Sequence, residues 1–235
     1  MYVPIVLALI SFVGVWVVKG NINIAVSLLW LASAKTVGNF LFGVIPLFVL
    51  MGLLVSTAGM GRDTYDIAQY FMKRIRGGLG MATVVANAIF AAITGVSIAS
   101  ATVFTKISVP EMLRYGYKGR FAVGVVAGSS VLGMLIPPSI LLIVYALIAE
   151  ESVGDLFIAG VGPGLLLTIA FCVLISFMAY FFPNSVASPE TFTQSVEAEN
   201  RLSKRELFYK SVPIITLIVV VLGGIYAGLY TPTEA

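Results

Sequence analysis

The stretch that most constrains this chain is 79–113, LGMATVVANAIFAAITGVSIASATVFTKISVPEML, an apolar run with basic residues outside both of its ends. Arg62, Lys73, Arg74 and Arg76 precede it, and Arg114, Lys118 and Arg120 follow. Lys and Arg collect in cytoplasmic loops, so both ends are expected on the same side of a membrane. As one helix the segment would reach ~52 Å, too long for a hydrocarbon core of ~30 Å. Folded into two arms, each reaches ~24 Å and stops short of crossing. The middle, residues 94–102, reads TGVSIASAT. Small and rich in hydroxyls, it suits a non-helical tip that binds something at mid-membrane depth.

A membrane is demanded by composition as well. Of 235 residues, 59% are hydrophobic and 11% charged, and the mean hydropathy is +1.03, outside the range of soluble domains. The cations lie in loops between apolar runs rather than in a phosphate-binding cluster, so nucleic acid is not an expected partner whereas the lipid bilayer is. There is no histidine, which removes the usual general base and the commonest metal ligand. Cys172 is alone in an apolar run, so neither a disulfide framework nor a thiolate metal site is expected. With no paired carboxylates in the expected core and no phosphate-binding loop, the chain reads as neither an enzyme nor an ATP-driven pump, and no cofactor is expected. The N-terminus lacks a basic leader and a cleavage site and reads as a retained first span.

Apolar runs over 2–18, 24–34 and 37–60 form a first region of spans, 1–78, in which Pro46 predicts a kink. Residues 61–78 are polar and basic, with a short amphipathic run near Tyr65 whose neighbours Asp63 and Asp66 read as a solvated face. The hairpin 79–113 opens a second unit, 79–182. Within it, 121–149 is interrupted at GMLIPPS, 133–139. Two adjacent prolines remove amide donors and push the preceding residue out of the helical region, so a broken helix is expected. Glu150, Glu151 and Asp155 make an acidic turn on the outer side, and 156–182 is the next span. Residues 183–211 read as a cytoplasmic loop and 212–235 as a last span with a short tail. Three loops assigned to the cytoplasm hold eleven of the 14 Lys and Arg, which supports this topology.

Two breaks in one membrane chain point to a transport site. Each frees backbone carbonyls, good ligands for Na⁺, and each creates a helix N-terminus whose positive end attracts a carboxylate. Gly95, Ser97, Ser100 and Thr102 occupy the tip, and Ser129, Ser130, Gly133 and Ser139 are candidates for a facing wall. The competing reading is that small residues only let helices pack closely. Lys106, in the second arm, either meets an anionic substrate or extends to the interface beside Glu111.

At these residues the chain resembles the large membrane subunit of TRAP transporters, the tripartite ATP-independent periplasmic family. The resemblance runs through IPLFVLMG (45–52), RIRGGLGMA (74–82), VPEMLRYGY (109–117), GMLIPPSILLIVYA (133–146), LFIAGVGPGLLL (156–167) and YTPTEA (230–235). It implies an all-α polytopic protein of the bacterial inner membrane, the first half of an inverted-repeat, elevator-type transporter, with scaffold-like spans in 1–78 and a transport unit in 79–182. It further implies Na⁺-coupled uptake of an organic acid such as a C4-dicarboxylate or sialic acid. The implied partners are a small four-helix membrane subunit and a periplasmic substrate-binding protein. A Na⁺ site carries over to Gly95, Ser97, Ser100, Gly133, Pro137 and Ser139, with Thr102, Lys106 and Ser130 as substrate-binding candidates. Val96 departs from the family pattern, which has a hydroxyl there. The family carries a second, inverted half into which 231–235 normally leads, and the resemblance covers the first half only. The alternative expectation is therefore a truncated, non-transporting fragment or assembly subunit that needs a second half.

Overall fold

The structure is a computed structural model that describes residues 3–38, 40–72, 75–187 and 203–231. Those residues are mainly helical, and the one extended pairing among them is an isolated bridge between Tyr117 and Ala187. Two helices, Val153–Phe181 and Arg205–Tyr226, are long and apolar enough to cross a membrane. Four segments qualify when two bent pairs, Gly43–Thr57 with Met60–Met72 and Gly119–Leu135 with Ile140–Ala149, each count as one span. The chain is an all-α polytopic membrane protein.

It divides into two compact units, Met1–Val44 and Ile45–Ala235. In the first, α1 (Val3–Lys19) and α2 (Ile22–Val37) are joined at Gly20, whose φ of 65° turns the chain as only glycine does without strain. Leu7, Ile10, Trp16 and Val17 stand exposed, the pattern of a helix that presents bulky apolar side chains to lipid.

Helix α3 (Phe40–Thr57), which belongs to the second unit from Ile45 on, leads into α4 (Met60–Met72). Pro46 lies inside α3, and the sharp bend, 64°, falls at Ala58–Gly59 instead. Helix α4 buries Gly61, Thr64, Tyr65 and Ala68, a spacing of three and four that defines one face. The solvated face expected around Asp63, Tyr65 and Asp66 is not what forms. Tyr65 is buried, and Lys210 reaches back across the sequence to pair with Asp63 at 3.1 Å and with Asp66. Those bonds tie α4 to α12 (Lys204–Ile218), which starts with a capping box of Ser203 and Glu206. Helix α12 runs on through a π-helical turn, Val219–Gly223, into α13 (Gly224–Tyr226), so the last span starts ahead of residue 212. Of the loop expected over 183–211, residues 188–202 lie outside the described residues.

The hairpin consists of α5 (Gly78–Thr94) and α6 (Ser97–Arg114). Behind it come α7 (Gly119–Ser129), α8 (Leu132–Leu135), α9 (Ile140–Ala149), α10 (Val153–Phe181) and the short α11 (Pro183–Val186). Helix α10 serves as a ruler for the rest. It buries Phe157, Gly160, Gly164, Ile175 and Ala179, again one stripe. At its C-terminal end, a Cβ at Gly77 would lie 3.0 Å from Ala179, and one at Gly80 would lie 3.2 Å from Ile175. The hairpin therefore begins there. It also ends there, since the Lys118 N–H donates to the carbonyl of Val186 at 2.9 Å and Tyr117 bridges Ala187. Both ends of the hairpin lie at one end of α10, as the doubled basic flanks predict.

The far end of the hairpin lies partway along α10. Residues 135–137, which adjoin the tip, pack on Gly160 and Gly164. At 1.5 Å per residue these glycines lie about 10 and 16 Å from the start of α10, well inside its length of roughly 43 Å. The hairpin goes in beside a spanning helix and turns back before reaching its opposite end.

Candidate functional site

The tip is made by a glycine and an extended residue. Gly95 closes α5 in the left-handed region, with φ 62°, and its N–H donates to the carbonyl of Ala91 at 3.0 Å. Val96 is extended, and its carbonyl accepts the N–H of Ser100 at 3.2 Å, so the main chain itself caps α6. The Val96 side chain turns toward α3, where a Cβ at Gly52 would lie 3.6 Å from Val96 Cγ2.

The facing break runs from Ile136 to Ser139. Ile136 and Ser139 are extended, and the Pro137–Pro138 peptide is cis. Neither proline has an N–H, so the i→i−4 ladder cannot pass through. Ser139, fully buried, donates its hydroxyl to the carbonyl of Met134 at 2.6 Å, spanning the break and leaving its own lone pairs free.

These two breaks touch. The carbonyl of Gly95 accepts the N–H of Ile140 at 3.3 Å, so the hairpin tip caps the first turn of α9. A Cβ on Gly95 would overlap the carbonyl oxygen of Pro138 and lie 3.3 Å from Ser139 Cα. One on Gly133 would lie 3.0 Å from both the N and the Cα of Ser97. Only residues without side chains permit backbone to approach backbone this closely. The positive end of the α9 dipole is thereby aimed at the hairpin tip.

Gly95, Ser97, Gly133 and Ser139 thus meet in one contact. Pro137 lies at its back, toward α10, where a Cβ at Gly160 would be 3.7 Å from its Cδ. Ser100, one turn into α6, is fully buried, and its hydroxyl has no hydrogen-bond partner among the described residues. Ser130 is buried and donates to the carbonyl of Ala127 at 2.9 Å, while its own carbonyl accepts the Gly133 N–H. Thr102 and Lys106 do not enter the contact. Both lie on the exposed face of α6, with Ile98, and Thr102 donates to the carbonyl of Ile98. The donors assembled here are carbonyls and hydroxyls. Among the described residues no group of three or more His, Cys, Asp or Glu could hold a metal ion. This oxygen-only chemistry suits a hard cation rather than a soft, thiolate- or imidazole-seeking metal.

One residue of this region escapes sequence reasoning. Asn87, fully buried in the middle of α5, donates its Nδ2–H to Ser129 Oγ at 2.6 Å. The available signal was its rarity, since a lone carboxamide in an apolar membrane arm needs a partner.

A model of the family described as "Tripartite ATP-independent periplasmic transporter, DctM component" matches residues 1–235. The chain belongs to this family. It is 41% identical over 194 residues to the C4-dicarboxylate TRAP transporter large permease protein DctM of Pseudomonas aeruginosa, covering 81% of this chain and 43% of that protein. It is 31% identical over 199 residues to the sialic acid TRAP transporter large permease protein SiaM of Vibrio cholerae, covering 85% and 44%. Over 191 residues it is 31% identical to the ectoine/5-hydroxyectoine TRAP transporter large permease protein UehC of Ruegeria pomeroyi, covering 81% and 42%. The chain spans less than half the length of these relatives. The family is one of transporter permeases whose named substrates differ.

Proposed function

We propose that this TRAP permease chain supplies one wall-and-tip unit of a Na⁺-coupled importer for an organic acid. The observation that carries the reading is the contact between two helix breaks, Gly95–Ser97 and Gly133–Ser139, which lie in apolar stretches, 78–110 and 119–149, that contain no Asp or Glu. The oxygens of Gly95, Ser97, Ser100 and Ser139 would hold Na⁺. The α9 N-terminus and the bound cation together would favour a carboxylate nearby. Thr102 and Lys106, on the exposed face of α6, would face the substrate only when a further membrane element covers that face. Relatives named for C4-dicarboxylates, sialic acid and ectoine support a small organic acid as cargo. A periplasmic binding protein would deliver it, a small membrane subunit would brace the assembly in the inner membrane, and the unit would move as a rigid elevator.

Reconstitution tests this reading. Proteoliposomes holding the assembled permease and its binding protein should take up the organic acid when Na⁺ is high outside, and not when K⁺ replaces it. Uptake that ignores Na⁺ would refute the coupling. The alternative, a chain that only assembles and does not transport, is favoured if the chain without a second half shows no uptake. Na⁺-driven uptake by the chain alone would end it.

A further inference from the structure

We infer that Asn87 and Ser129 form a buried lock that holds the hairpin in register with the broken helix, and so positions the tip against the break. Asn87 lies eight residues before Gly95, about 12 Å down the same helix. Ser129 is the last residue of α7, directly before the turn that leads to Gly133 and the prolines. Their hydrogen bond, at 2.6 Å, joins residues 42 apart, and both side chains are fully buried.

The direction of this bond is fixed by valence. Ser129 has one hydroxyl proton and gives it to the carbonyl of Val125 at 2.7 Å. It must then accept from Asn87, which sets the carboxamide with Nδ2 toward α7. Asn87 Oδ1 is left without a partner among the described residues. A buried acceptor without a donor is costly, so packing alone would favour an apolar residue at this position. The polar pair instead brings directionality. Flanked by Ala86, Ala82 and Ala91, which would let two apolar helices slide by a turn, a single bond specifies one register. A one-turn slip would carry Gly133 away from Ser97 and Gly95 away from Pro138, and both contacts tolerate no side chain.

Asn87 acts as a positioning residue for the proposed ion site and touches no ion itself. The inference rests on the proposed function for its ion readout alone. Asn87→Leu is the informative variant, because it keeps the branching and heavy-atom count of the side chain and leaves Ser129 bonded to Val125. Two measurements are needed. Hydrogen exchange on the full chain in lipid nanodiscs reads the lock without reference to any ion, through the Ile140 N–H that the Gly95 carbonyl accepts. Asn87→Leu should speed exchange there about tenfold, the loss expected for one buried hydrogen bond, with the middle of α10 unchanged. Ser129→Ala should act in the same direction, and the double variant should be no faster than the faster single one. In the assembled permease, Asn87→Leu should raise the Na⁺ concentration for half-maximal uptake by a similar factor and leave the maximal rate within about twofold. Unchanged exchange at Ile140, or additive effects in the double variant, would overturn the lock. Wild-type uptake indifferent to Na⁺, with exchange still accelerated by Asn87→Leu, would overturn the ion coupling and leave the lock standing.

Discussion

Helices α1 and α5 are each 17 residues long and uncharged apart from Lys19, yet they occupy opposite environments. Along α1, Val3, Ile5, Leu7, Leu9 and Ile10 are all more than half exposed. Along α5, thirteen of the 17 residues are buried, among them Gly78, Gly80, Ala82, Ala86 and Ala91. Hydrophobicity does not separate the two, because lipid is as apolar as a protein core. What separates them is size. Bulky branched side chains fill the disordered lipid boundary, whereas glycine and alanine let helices approach until van der Waals contact and hydrogen bonds hold them. A transport site that needs backbone carbonyls at its surface has to be built from the second kind of helix.

Substitutions that exchange the two characters test this difference most severely. Gly95→Val should have the largest effect. The left-handed conformation costs an L-residue roughly 1–2 kcal/mol before its side chain meets the Pro138 carbonyl, so the tip should detach and Na⁺-driven uptake should fall below detection. Ala82→Leu, fully buried in α5, should lower stability by about 1–3 kcal/mol through overpacking, measured as a drop in melting temperature. Next comes Lys210→Met, which leaves Asp63 and Asp66 facing each other without a cation at the α4–α12 junction. The loss should be about 1 kcal/mol and should shrink as salt is raised, because the pair is partly exposed. Leu9→Ala on α1, where no core is disturbed, should change stability least, by about 0.5 kcal/mol or less, read from the melting temperature. An Ala82→Leu effect as small as that of Leu9→Ala would remove the distinction between the helices.

Much of this was written in the sequence in a form physics can decode. The doubled basic flanks of 79–113 placed both ends of the hairpin on one side, and the structure brings Gly77 and Lys118 to the same end of α10. The Pro137–Pro138 pair marked a break, because proline cannot carry the helical ladder. Less legible was anything that depends on which residues become neighbours. Asp63 and Asp66 read as solvated because their partner, Lys210, is remote in the chain. Asn87 was silent because its role lies in a bond to Ser129 on another helix. Pro46 predicted a kink, but the chain bends at Gly59, where a φ of 79° favours glycine. Thr102 and Lys106 share the hairpin with the tip serines but lie on its exposed face, a distinction that spacing along one helix leaves open.

The central claim is that the hairpin tip and the broken helix jointly hold a cation through oxygens left free for it. Ser100 provides the sharpest test, because its buried hydroxyl has no partner among the described residues. Removing an unsatisfied hydroxyl should leave stability in K⁺ unchanged or slightly raised. The decisive measurement is the melting temperature of the assembled permease and its Ser100→Ala variant as Na⁺ replaces K⁺ at constant ionic strength. The account predicts that Na⁺ raises the melting temperature of the wild type, and that the variant, equally stable in K⁺, needs about tenfold more Na⁺ for the same rise. Identical Na⁺ responses in the two proteins would contradict it.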